Sequence, residues 1–246
     1  MKRRTLVNMK LQPCHVIKAN SFFSHCFCCV LFFTATLCAS AQTTPRQQPS
    51  GYQQVITERA AKIVNSLSIT DSVKYRKVVS VIAGQYAALN DLQVKNTAAV
   101  TDIKTQETDK DKQAVALKTQ EEKKLAALTR QHTVFIAQLN DNLSNEQVEL
   151  VKDGMTYRVF PITYAAYQDM IPSLTAVQKE KIYNWLKEAR ELAMDAESSD
   201  KKHAVFGKYK GRINNYLSAE GYDVKKEGEA WAKRIQAAKE AKQPAN

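Results

Sequence analysis

Between Pro49 and Pro161 the sequence contains no proline, and the only glycines there are Gly51, Gly84 and Gly154. Sandwiches, propellers and doubly wound sheets need turn residues every few positions, so a gap of this length is filled by helix. With 246 residues and 44% hydrophobic content, the chain can form one domain or two small ones and is too apolar for a disordered polymer. The expected class is all-α.

The N-terminus reads as an address. Lys2, Arg3, Arg4, Lys10 and Lys18 precede an apolar run from Phe22 to Leu37 and the triplet Ala39-Ser40-Ala41, and no acid occurs before Glu58. That order is a secretory signal with cleavage expected after Ala41, which places the protein in the periplasm or outside the cell. The basic region is long, so translation starts at Met1 or Met9. Leu37 stands where a lipobox has a small residue, which argues against lipid on Cys38. All five cysteines lie within residues 1–41, so the mature chain is expected to have no disulfide and no cysteine metal site. Losing five cations and no acid lowers the net charge from +11 to +6. That balance gives no reason to expect a nucleic acid partner, and membrane contact is expected only through the removed segment.

Residues 42–51 are a polar tether. Residues 52–153 form the first half of a single domain. Val55, Ile56, Ala60, Ile63, Val64 and Leu67 are at helical spacing and end near Ser66 to Ser68, and Ile69-Thr70-Asp71 starts the next helix with a capping residue. Val78, Ile82, Ala88, Leu89 and Leu92 give one stripe; Leu125, Leu128, Phe135 and Leu139 give another, with the polar run 101–113 between them. Two antiparallel helices of roughly 45 to 50 Å fit this pattern at 1.5 Å per residue, with one continuous solvated helix as the alternative. Such a hairpin also offers a surface for homo-oligomers. Residues 154–241, the second half, carry eleven of the fifteen aromatics found after residue 41. A binding site is therefore expected there, on short elements followed by helices near 176–198, 201–219 and 224–241.

Leu143-Ser-Asn-Glu-Gln147 and Leu174-Thr-Ala-Val-Gln178 share the pattern L-[ST]-x-x-Q, a capping box in physical terms. In this motif, its export signal, its charge and its helix content the chain also resembles the Spy/CpxP-like periplasmic chaperones.

The most distinctive stretch is residues 200–223. Wound at 100° per residue, Val205, Phe206, Tyr209, Ile213, Tyr216 and Leu217 make one apolar arc. His203, Lys210 and Asn214 border it on one side, Lys208, Arg212 and Asn215 on the other, and Gly207 and Gly211 lie between. From Lys201 to Ala219 there are five cations and no acid. An anion suits this surface, with Arg212 able to clasp a carboxylate bidentately. The competing reading is that the glycines admit a neighbouring helix and the cations are a solvated face, or that the segment breaks into a loop. On the preceding helix Ile182, Trp185, Leu186, Ala189, Leu192, Ala193 and Ala196 form the expected buried stripe. Tyr183, Lys187, Arg190 and Met194 line its edge, where Arg190 faces the basic strip or pairs with Glu188 and Glu191. Tyr157, Tyr164 and Tyr167 are stacking platforms or core.

The catalytic inventory is thin. Only His132 and His203 follow the signal; His132 lies on the Leu128–Phe135 stripe, so His203 is the candidate acid or base, with neighbouring cations expected to favour its neutral form. No phosphate-binding loop, serine-hydrolase elbow, dinucleotide fingerprint, zincin or EF-hand pattern occurs, so no cofactor and no metal is expected.

The runs VKDGMTY (151–157), DMIPSLT (169–175) and GKYKGRINNYLSAEGYD (207–223) resemble a family of secreted helical proteins that is a domain of unknown function, over about Tyr52 to Arg234. The resemblance implies gut-type Gram-negative bacteria and gene clusters for polysaccharide use, pectin in particular. It carries no activity or catalytic residue. The residues and this setting together predict an accessory factor that binds acidic oligosaccharides through Arg190, His203, Lys208, Tyr209, Lys210, Arg212 and Asn215. A glycan-active lyase or hydrolase and a chaperone acting on an envelope protein are the alternatives.

Overall fold

A computed structural model describes residues 51–241. The expected signal segment and residues 42–50 of the tether lie outside the described residues, while Gly51 already belongs to the first helix. The described residues form eight α-helices and no strand.

α1 (Gly51–Val64) buries Ile56, Ala60, Ile63 and Val64, whereas Val55 is exposed. A 3-10 turn (Asn65–Leu67) follows, and Ser68 in the left-handed region (φ 53°) turns the chain. Asp71 then caps α2 (Ser72–Gln106), its carboxylate accepting from the Val73 and Lys74 N–H groups. The polar run is broken by three residues: Asp109 caps α3 (Lys110–Asn140), and the Gln113 side-chain amide donates to the Lys104 and Glu107 carbonyls that end α2. A reversal without glycine or proline is thus held by side-chain caps, and the hairpin supersedes the single long helix.

The two long helices pair through amides. Gln131 donates to Gln85 at 2.7 Å and Gln120 to Asn96 at 3.1 Å, pairings that run in opposite directions along the two helices. Leu89 is the last buried residue of α2 and Phe135 the first of α3. Beyond Leu89 the hairpin is therefore a two-helix arm of roughly 25 Å at 1.5 Å per residue. Leu125, expected on the buried stripe, is 53% exposed, because it lines an open cleft between α3 and residues 191–197 that no further side chain fills.

α4 (Asn145–Met155) and α6 (Ala176–Met194) both start with capping boxes, Ser144 with Gln147 and Thr175 with Gln178. Each glutamine also reaches another element: Gln147 donates to the Leu67 carbonyl and Gln178 to Glu220. α5 (Val159–Met170), α7 (Ser199–Ala219) and α8 (Val224–Glu240) complete the fold. Gly221, at φ +92°, turns the chain between α7 and α8.

Two apolar clusters result. One joins α1, the bases of α2 and α3, α4 and Met194; the other joins α5, α6 and α7. α6 serves both, so its buried arc is Ile182, Leu186, Ala189, Arg190, Ala193 and Met194. The expected arc is corrected here. Leu192 is 54% exposed, and Arg190 and Met194, expected at the edge, are inside.

Gly154 marks the tightest helix contact. A Cβ there would sit 2.9 Å from Ile63 Cγ2 and 3.0 Å from Cγ1, where α4 crosses α1. Gly154→Ala is expected to cost about 1–3 kcal/mol by overpacking, read from urea unfolding. The penalty should shrink in an Ile63→Ala background, and equal penalties in both would refute the contact.

Candidate functional site

α7 carries the candidate surface. Ser198 caps it, accepting from the Lys201 N–H at 3.2 Å, and the helix runs unbroken through both glycines. Phe206, Tyr209, Ile213 and Leu217 anchor it, while His203, Lys208, Lys210, Arg212 and Asn215 are exposed. A Cβ at Gly207 or Gly211 would meet no atom within 4 Å. No helix lies over these glycines among the described residues, which overturns the reading that they admit a neighbour.

Three expected members of the surface are elsewhere. Lys202, counted among the five cations, is buried and donates to the Ala193 and Met194 carbonyls at 2.8 and 2.9 Å. It caps the end of α6, and burial brings its ammonium down to about 8. Tyr209 packs its ring into the second cluster; burial, then the Glu188 carboxylate, pushes the phenol up to about 12. Arg190 is 1% exposed and faces away from α7's outer side, toward α4.

The two edges of α7 differ. On the α6 side the Arg212 guanidinium lies 4.6 Å from the Trp185 ring and 3.8 Å from the Glu188 carboxylate. Lys181 sits 4.2 Å from the Tyr216 ring, and Tyr216 meets Trp185 edge to face. On the other side His203 stacks on Tyr157, with centroids 5.4 Å apart and planes 12° from parallel. Lys210 and Asn214 border a groove against α5 and α8. Tyr157 and Arg158 both have positive φ, 58° and 57°. Such residues carry strain of order 1–2 kcal/mol each. The Arg158 N–H bond to the Asp153 carbonyl (2.7 Å) and the bond of the buried Thr156 hydroxyl to the Lys152 carbonyl (2.8 Å) hold this turn.

His203 and Arg212 do not share a cleft. Nine residues separate them, half a turn around the helix and roughly 14 Å along it. A base and an anion-stabilising cation so placed cannot act on one bond.

Beneath α7 lies a charged junction. Arg190 bonds Asp153 at 2.7 Å, Glu149, and Glu191 at 3.2 Å, and its guanidinium lies 5.0 Å from the Phe160 ring. Lys152 bridges Glu191 and Glu149 at 3.1 and 3.4 Å. His132 on α3 meets Asp195 at 2.9 Å and Glu191 at 3.7 Å, in a cleft of about 370 Å³. The Asp195 hydrogen bond, outweighing burial, raises His132 above its ordinary value. Burial alone would raise Glu149, but Arg190 and Lys152 hold it below its usual range. Among the described residues no group of three His, Asp or Glu side chains is arranged to hold a metal.

The fold and its second half define an all-helical domain with a cation- and aromatic-lined surface. The profile of the family described as a protein of unknown function, DUF3826, matches residues 53–237, and the chain belongs to that family. Comparison with curated proteins finds no match.

Arg190→Met removes the partner of three carboxylates, leaving Asp153 unpaired, Glu149 with Lys152 alone and Glu191 with Lys152 and His132, and is expected to cost about 3 kcal/mol, the low end for such a break because Glu149 keeps contact with water. Urea unfolding tests this, and a loss under 1 kcal/mol would contradict it. The charge states set two pH windows. His132, its folded value raised, contributes stability that is full below 6.5 and is lost as pH rises through that raised value. Glu149, its folded value lowered, contributes stability that is full above 4.5 and is lost on acidification. His132→Gln should flatten only the first window; an unchanged slope above pH 6.5 would remove the His132–Asp195 pair from the account.

Proposed function

We propose that this protein is an exported accessory factor that binds acidic oligosaccharides during polysaccharide utilisation. One observation carries the reading: the outward face of α7 presents cations and amides with no acid of its own from Lys201 to Ala219, around two glycines that nothing covers. The family resemblance supplies the setting.

The chemistry follows from the α6 edge. The Arg212 guanidinium, 4.6 Å over the Trp185 ring, is partly exposed and has the donor fork that suits a bidentate carboxylate. Glu188, at 3.8 Å, is the internal competitor that a uronate displaces. Lys208 and Asn215 lie on the same side, and the glycines let a sugar ring approach the backbone. The Trp185 and Tyr216 rings hold the Arg212 and Lys181 cations side by side on this edge. The separation of His203 from Arg212 favours binding over a lyase that would use both.

Calorimetric titration with oligogalacturonate and with an uncharged glucan of equal length tests the proposal. Binding of the acid alone is expected, with a loss of at least tenfold, about the worth of one charged hydrogen bond, in Arg212→Ala. Lys239→Ala on α8 serves as the neutral control. Absence of heat refutes the reading, unchanged affinity in Arg212→Ala removes this face, and new double-bond absorbance replaces the accessory role with a lyase.

A further inference from the structure

The groove on the opposite edge of α7 is a separate feature. It lies between α5, α7 and α8, has a volume of about 290 Å³, and is walled by Ala166, Met170, Val224 and the Trp231 ring. We propose that it is a binding site for a small aromatic carboxylate.

Three observations converge on that class. First, the lining holds one cation, Lys210, and no acid. The two carboxylates adjacent in sequence to the lining are both engaged, Asp169 by the Trp231 indole N–H and Asp223 by the Lys226 N–H as the cap of α8, and Lys210 has no ion-pair partner among the described residues. Second, the Tyr167 hydroxyl donates to Asn214 Oδ1 at 2.7 Å. Burial pushes this phenol up to about 12, so it stays a donor. With its oxygen occupied, Asn214 has its amide N–H groups left to give, in the same groove lining as Lys210. A carboxylate accepts from both. Third, the remaining walls are an indole face, a thioether and aliphatic carbons, surfaces that favour a flat ring over a hydroxylated one. The space holds one ring with a short acid arm.

α8 forms one wall of the groove. α8 contributes no buried residue and is held mainly by Arg234, which donates to the Asp169 and Met170 carbonyls at 2.9 and 3.0 Å, and by the Trp231–Asp169 bond. Met170 Sδ would lie 3.8 Å from a Cβ at Gly228, so the two helices approach closely at that point.

This site stands apart from the oligosaccharide reading, since it uses neither Arg212 nor Trp185. Saturation-transfer NMR on the full chain, with cinnamate, cinnamyl alcohol and cinnamylamine as probes, tests it. Cinnamate should bind, the alcohol about tenfold or more weakly, consistent with loss of a charged hydrogen bond, and the amine not at all. Ala166→Phe should abolish cinnamate binding by filling the groove. Ile162→Glu, at an exposed rim position that folding does not depend on, should weaken it by adding a like charge. Arg212→Ala should leave it unchanged. No transfer to cinnamate, equal binding of acid and amine, or cinnamate affinity indifferent to Ile162→Glu would each overturn the assignment.

Discussion

A single guanidinium sets the relation between the two halves of the fold. α6 is shared by both apolar clusters, with Ala193 in one and Met194 in the other, and Arg190 sits where they meet. Taking its charge out of water costs several kcal/mol, which only well-placed partners offset. Glu149 and Asp153, one turn apart on α4, are those partners, so α4 can dock in one rotation and one register. The compensation is incomplete, because Arg190 Nε is buried without a partner. A slip of α4 would leave still more of the charge unpaired. The fixed position of α4 then dictates the left-handed turn at Tyr157 and Arg158, which aims α5 along the second cluster. Lys152 and Glu191 extend the network to His132, and so to the base of the hairpin.

Much of this fold is written in hydrophobic spacing. α1, the hairpin and the last three helices follow from apolar periodicity, and Asp71, Ser144 and Thr175 mark the starts of α2, α4 and α6 through hydroxyl or carboxylate caps. The hairpin reversal is less legible. Its signal is Asp109 together with Gln113, and Gln113 acts only because α3 folds back over the α2 terminus. The α4–α5 boundary carries no local signature: two non-glycine residues in the left-handed region are imposed by surrounding packing, and nothing in Tyr157-Arg158 announces it. Leu125 and Leu192 share a different failure. Periodicity tells which side of a helix is apolar, but not whether another element exists to cover that side.

The candidate surface divides along the same line. The angular order of α7 is a property of one helix, so the sides carrying His203 and Lys210 and carrying Lys208 and Arg212 could be read directly. Lys202, Tyr209 and Arg190 could not, because their fates depend on what waits at the end of a long side chain: the open carbonyls of α6, the ring-filled second cluster, and the acids of α4. Pairings between helices were invisible for the same reason. Arg212 over Trp185 and Tyr167 on Asn214 join residues 27 and 47 positions apart, and no spacing rule links them.

The glycines of α7 remain to be accounted for. Each costs a helix interior roughly 1 kcal/mol relative to alanine, and two stand one turn apart. Gly154 shows what such a cost secures inside this protein, a crossing of two helices closer than any side chain permits. Gly207 and Gly211 secure nothing of that kind, since alanine at either position would touch no atom within 4 Å. Alanine would also leave the cations and amides of both edges in place. What it would remove is the low floor between them, which leaves the helix backbone open beside the Arg212 and Trp185 edge. A feature that weakens its own helix and contacts nothing in the described chain is what the proposed anionic ligand accounts for, and the acid-free sequence along it matches the charge of that ligand.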